Sequence, residues 1–407
     1  MREKTMDSGI FVYREEAAAS GTGLLKGRTV SVQAGLSVAG WPAEAGSLAL
    51  RGFKAIEDAT VARRLREQGA VLVGSTRMSE LGLGLRDDGA ARAVTAGLAD
   101  IAMMTDLVGE ARLAAADAGI IGYRPSYGLV SRYGLFGLIP SMEAIGVLSR
   151  SAADIAAVMA AVAGRDEKDF SMPEEPVPGF LDGAGQPRIR TLGWIRESVA
   201  FLERQERQAF LLALEGLAKA GLTLVETSLE EFELFRAVHQ VIGSVEASSA
   251  AGKYDGVRFG YRSPAAKNWN EMYLKTRGEI FGPLVKPYLF QGAYYQFMKY
   301  GAFEKACRLR SHLIRELQRL FGQADALALP ALRAGFDPRE AGSVSALYDA
   351  FLFTLPASVA GLPAVCFPWD DGDPAGCRAI QLVGPRLGDA GLLALAGQAV
   401  TNKTKES

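Results

Sequence analysis

Apolar and polar positions alternate in "GRTVSVQ", Gly27 to Gln33, and its β-branched residues predict a strand. In "EDATVARRLREQGAVLVG" the period changes. Val61 and Leu65 share one helical face, Asp58 is the expected N-cap, and Gly69 follows the last turn; a strand over Ala70 to Gly74 comes next. Ala153 to Gly164 reads as an Ala-rich helix ended by glycine, and 166–188 as an acidic, Pro/Gly-rich surface connection. "RTLGWI", "RQERQAFLLALEGLAKAG" and "LTLVETS" give a further strand, helix and strand. A helix-rich stretch from Leu229 to Leu320 precedes short apolar strands at "ALALPAL", "LPAVCFP" and "CRAIQLVG". This alternation predicts an α/β protein: a large mixed, mostly parallel sheet covered by helices on both faces.

Composition narrows the function classes. The 407 residues are 49% hydrophobic, enough for a sizeable core. Lys and Arg total 45 against 46 Asp and Glu, so no net field draws the chain to nucleic acid or anionic lipid. The uncharged run Ala350 to Trp369 is interrupted by Pro356, Pro363 and Pro368 and is expected to form buried strands and turns, not a membrane helix. "MREKTMDSGIFVYREE" lacks the apolar stretch of a signal peptide, and a cytoplasmic location is expected. Three cysteines without C-x-x-C spacing and two histidines, His239 and His312, leave little for a metal cluster or a Ser-His-Asp triad. Cys307 and His312 fall on different faces of one expected helix, and Cys366 in "LPAVCFP" reads as a small buried hydrophobe.

Six segments in fixed order carry a resemblance: "AGSLALRGFKAIEDATVARRLREQGAVLVGSTRMSELGLG", "AGIIGYRPSYGLVSRYGL", "IGVLSRSAADIAAVMAAVAGRDEKD", "EASSAAGKYDGVRFGYRS", "LPASVAGLPAVCFP" and "PAGCRAIQLVG". They resemble the amidase signature family and, within it, the A subunit of glutamyl-tRNA(Gln) amidotransferase; "YDGVRFGYRS" points to the latter. The resemblance implies one domain over 1–407, with a shortened N-terminus. It also implies amide hydrolysis by a serine, a bridging cis-serine and a lysine, with backbone N–H groups of a glycine-rich turn holding the oxyanion.

Set against that pattern, each catalytic part is altered. Gln33 stands where the family places its lysine, and an amide is no base near neutral pH. "MSELGLGLRDDGAARAVTAGLADIAMMTD" lacks the Gly/Ser-rich loop that would bring the bridging serine. The nucleophile turn aligns with Asp106, Leu107, Val108, Gly109, Glu110, Ala111 and Arg112, so Glu110 replaces the serine and Val108 an oxyanion-hole glycine. Asp106 and Arg112 survive as a structural pair. Where the amidotransferase relative keeps arginines, "VKPYLFQG" has Pro287 and Tyr288, and Phe351 replaces an expected acidic residue.

The sequence therefore predicts no catalytic triad, a catalytically degenerate scaffold, and a candidate pocket at Gln33, Leu107, Val108, Gly109, Glu110, Tyr288 and Phe351. Two roles for Glu110 stay open. It can start the helix "EARLAAADAG", favoured by the macrodipole and paired with Arg112, with no second titratable group beside it. Alternatively it acts on a different bond in a rewired enzyme. Gln33 either binds a ligand or satisfies buried polar groups. Binding roles implied are a protein partner resembling the other amidotransferase subunits, or a small carbonyl or amide ligand. No cofactor, metal, membrane or direct nucleic-acid contact is expected.

Overall fold

In this computed structural model the described residues are 9–16, 22–181, 189–258, 260–369 and 377–406. They contain one eleven-stranded sheet. Its strands are β1 (Phe11–Arg14), β2 (Thr29–Gln33), β3 (Val71–Thr76), β4 (Ile101–Asp106), β5 (Ile121–Arg124), β6 (Ala144–Ser149), β7 (Thr191–Ile195), β8 (Thr223–Thr227), β9 (Ala326–Pro330), β10 (Ala364–Pro368) and β11 (Ala379–Val383). They lie in the order β1-β3-β2-β4-β6-β5-β10-β11-β9-β7-β8.

The mixed α/β sheet flanked by helices matches the expectation, but its parallel share does not. Parallel ladders are confined to β3-β2-β4 and β8-β7-β9, while the other six described ladders are antiparallel. The reason lies in two late insertions. β4 and β5 point the same way across the Glu110–Ala118 helix, as a βαβ reading requires, yet β6 returns between them and pairs antiparallel with both. β11 does the same between β9 and β10.

Two local expectations also change. The first long helix, Thr60–Glu67, begins one residue later than its sequence signal suggests, with Ala59 as N-cap. Asp58 instead accepts the Ala39 N–H at 2.8 Å and pairs with Arg66. Within Ala350 to Trp369, residues Leu355–Ala360 form a short helix, with Pro356 in its first turn and Gly361 ending it at φ 66°. Only Ala364–Pro368 of that run is a strand. Proline lacks an N–H to donate and so starts a helix as readily as it interrupts a strand.

One apolar cluster extends from Leu25 to Ala399 and includes strand residues from both parallel trios and from the antiparallel centre. Gly89–Thr95 and Glu110–Ala118 pack on each other and on the β4 side of the sheet. Ala152–Val162 packs against the C-terminal helix, Asp389–Glu406. Leu234–Ala250 and Val285–Phe297 form a close helical pair beside the end of β4.

Candidate functional site

β4 ends at Asp106, and Leu107, Val108 and Gly109 turn the chain into the Glu110–Ala118 helix. Gly109 carries φ 133°, and a Cβ there would collide with Thr354, so glycine is required at this turn. Successive N–H groups in such a turn converge on one point and make an anion-binding nest. The occupant is the protein's own side chain. Glu110 Oε2 accepts the N–H groups of Leu107, Val108 and Gly109 at 2.7, 2.9 and 3.1 Å. Oε1 accepts Gly84 N–H at 3.0 Å from a loop 26 residues upstream. The carboxyl is buried, and desolvation followed by the Asp106 charge raises its pKa to about 7 against the pull of the amide donors.

Glu110 does not pair with Arg112 as expected. Residues two apart on a helix face opposite ways. Arg112 turns to Asp106, donating from Nε and Nη2 at 3.1 and 2.9 Å. Its remaining donors reach Thr354 O, the Gln381 Oε1 and the Ser358 hydroxyl, each within 2.9 Å. Arg124 adds a second guanidinium, donating to Asp106 Oδ1 and to the Asp106 carbonyl, each at 2.7 Å. Asp106, Arg112 and Arg124 are all fully buried. Burial pushes the Asp106 pKa up, but the two guanidiniums outweigh it and hold the carboxyl at about 2. With Glu110 ionised, these four groups sum to zero charge.

A second network closes the turn from the helical side. His239 Nε2 lies 3.2 Å from Leu107 O, and Nδ1 lies 2.9 Å from the Tyr348 hydroxyl, itself 2.9 Å from the Tyr288 hydroxyl. A carbonyl only accepts, so Nε2 carries the proton; the imidazole is neutral because desolvation lowers its pKa to about 3. Tyr348 then donates to Nδ1 and Tyr288 to Tyr348. Burial raises the pKa of both phenols, and the Glu110 charge adds a smaller rise; with Asp106 also acting on Glu110, the carboxyl has titratable neighbours, contrary to the expectation that it stands alone. The Thr354 hydroxyl faces the carbonyl oxygens of Val108 and Phe351.

Gln33 sits at the end of β2, beside β4, and its Oε1 accepts both the Thr105 N–H and hydroxyl at 3.0 Å. Leu107, Val108, Glu110, Tyr288 and Phe351 come together with Thr354 and His239 around the turn, and all are at most 1% exposed. Three surface cavities of about 970, 260 and 540 Å³ lie elsewhere, and none is lined by Gln33, Glu110, Tyr288 or Phe351. Sequence reasoning missed Arg124, His239, Tyr348 and Gly84. Arg124 lay in the resembling segment "AGIIGYRPSYGLVSRYGL", where an arginine in an apolar strand was an available signal. His239, on a helix distant in sequence, offered none.

Residues 12–87 and 88–393 match the family profile described as Amidase. The A subunit of glutamyl-tRNA(Gln) amidotransferase from Synechococcus sp. (strain RCC307) is 33% identical over 411 residues, covering 93% of this chain and 84% of that protein. The protein of the same name from Natronomonas pharaonis is 34% identical over 420 residues, covering 95% and 98%. The crystal structure of the corresponding Thermotoga maritima protein superimposes with a TM-score of 0.75 at 25% identity, over 96% of this chain and 86% of the other. A crystal structure described as an amidase gives a TM-score of 0.76 at 25% identity, over 97% and 92%.

Proposed function

We propose, from the premise that this chain belongs to the amidase family, that it is a member without amide hydrolysis, serving as a scaffold for a protein partner. One observation carries the reading. The four N–H groups around the turn after β4 are held by the Glu110 carboxylate, so the donors an oxyanion would need already have an internal anion. A carboxylate there also repels the negative charge that develops on an attacked carbonyl. Gln33, at the position the resemblance gives to the lysine, turns its carbonyl oxygen to Thr105 and presents no base. Tyr288 and Phe351 are both buried, and the Tyr288 hydroxyl reaches the turn through Tyr348 and His239. The relatives are named as one subunit of an enzyme, which supports a protein partner over a small amide ligand as the binding role.

A second reading has its own support. A Glu110 pKa of about 7 is matched to proton transfer at neutral pH, as a rewired enzyme would require. One assay tests the absence of amide hydrolysis: ammonia release from glutamine, asparagine and acetamide, with release of acid from ester substrates as the probe of a different bond, by the purified protein and by Glu110→Ala. The scaffold reading expects both at background. Turnover by the wild-type protein overturns it, and turnover that Glu110→Ala abolishes assigns the chemistry to Glu110.

A further inference from the structure

The Val285–Phe297 helix is apolar on both sides. Its inner face, Val285, Tyr288, Leu289 and Gly292, is buried against Leu234–Ala250, and a Cβ on Gly292 would collide with the Ser244 carbonyl. Its outer face holds Pro287, Phe290, Tyr294 and Phe297, and continues into Met298. Phe290 is 69% exposed, Tyr294 48%, Phe297 76% and Met298 72%. At 100° per residue these four side chains fall within roughly a quarter-turn, so they form one stripe about 12 Å long. Aromatic rings of this size present together on the order of 500 Å² of apolar surface, at the upper end for a patch left to water. The 13-residue helix carries one charge, Lys286. A helix with no polar face is ordinarily covered on all sides.

We infer that this stripe is the docking face for a protein partner whose contacting segment is an amphipathic helix with apolar side chains flanked by Asp and Glu. The inference rests on the scaffold reading above and names the partner's chemistry. Charge selects the occupant. Lys286 borders one end of the stripe and Lys299 the other, and Lys305 and Arg308 follow on the next helix against one acid, Glu304. A second copy of this chain would meet it badly. Antiparallel pairing of two such helices brings Lys286 to Lys299, and parallel pairing brings each lysine to its like. An acid-flanked apolar segment meets both features at once. Phe, Tyr and Met are the side chains that anchor protein interfaces, and a polar rim added to the stripe approaches the roughly 800 Å² per partner of a stable complex.

The test uses the full-length protein and a synthetic 16-residue amphipathic peptide with a leucine stripe and glutamate flanks. Its charge-swapped twin carries lysine in place of glutamate. Titration calorimetry at low salt is expected to show binding of the acidic peptide, at least tenfold weaker for Phe297→Ser and for Lys299→Glu, with thermal melting unchanged in both. Equal binding of the twin overturns the inference, as does tighter association with anionic vesicles or a single-stranded oligonucleotide than with the acidic peptide. So does a dimer in sedimentation that Phe290→Ser dissociates. Amide hydrolysis is measured on the same preparations. Turnover with peptide binding intact removes the scaffold reading alone; absence of both turnover and binding removes this inference alone.

Discussion

Asp106 and Glu110 stand four residues apart, both buried, and the protein treats them in opposite ways. Asp106 is clamped by two guanidiniums and held at about 2; Glu110 is cradled by backbone amides and raised to about 7. Full opposite charges offset desolvation, whereas partial charges on N–H groups offset only some of it. The clamp joins β4, β5, the short helix after Thr354 and β11, so it organises the centre of the sheet. The nest joins only a loop and a helix start.

The largest expected effect breaks the clamp. Asp106→Asn leaves two buried guanidiniums facing a neutral amide, a loss of about 4 kcal/mol by denaturant unfolding; a change below about 1 kcal/mol would place the two carboxyls on equal footing. The second concerns pH. Because the folded pKa of Glu110 lies above its ordinary 4.5, its favourable contribution is complete below about 4.5 and is lost as pH rises through about 7. Wild-type protein is therefore expected to lose on the order of 3 kcal/mol more between pH 4.5 and 8 than Glu110→Gln. Asp106 works with the opposite sign in another window, contributing above 3.8 and failing as pH falls through about 2. A flat difference between wild type and Glu110→Gln would mean that the amides offset the whole desolvation of Glu110 and leave its carboxyl at its ordinary 4.5 or below. The smallest effect trims the second network: Tyr348→Phe strands His239 Nδ1 and the Tyr288 hydroxyl, for a loss of about 1 kcal/mol in the same unfolding experiment.

What the sequence disclosed follows the range of the interactions. Helix and strand periods are local, and most elements of the sheet stood in the pattern of residues, including the strand ending at Gln33 and the helix beginning at Glu110. The antiparallel centre did not, because the placement of β6 between β4 and β5 is decided by how the chain returns, not by any residue within the strands. Around the turn, Asp106 and Arg112 were visible as a pair through the resemblance. The partners of Glu110 were not: Gly84 donates from a loop, and a backbone N–H leaves no mark in the identity of the residue that bears it. An added Glu110–Arg112 contact is expected from their closeness in sequence, but helical geometry leaves Arg112 to Asp106.

The pairing of β5 with β10 joins residues 122–124 to residues 364–366. On the ribosome, the chain up to Ser149 can therefore complete β1 to β6 and still display β5 as an open edge, with unpaired amides exposed until almost the whole polypeptide has emerged. Premature termination anywhere between those segments yields a sticky nascent fragment, and heterologous production of this protein should favour slow translation or a holdase over truncation as a route to soluble material.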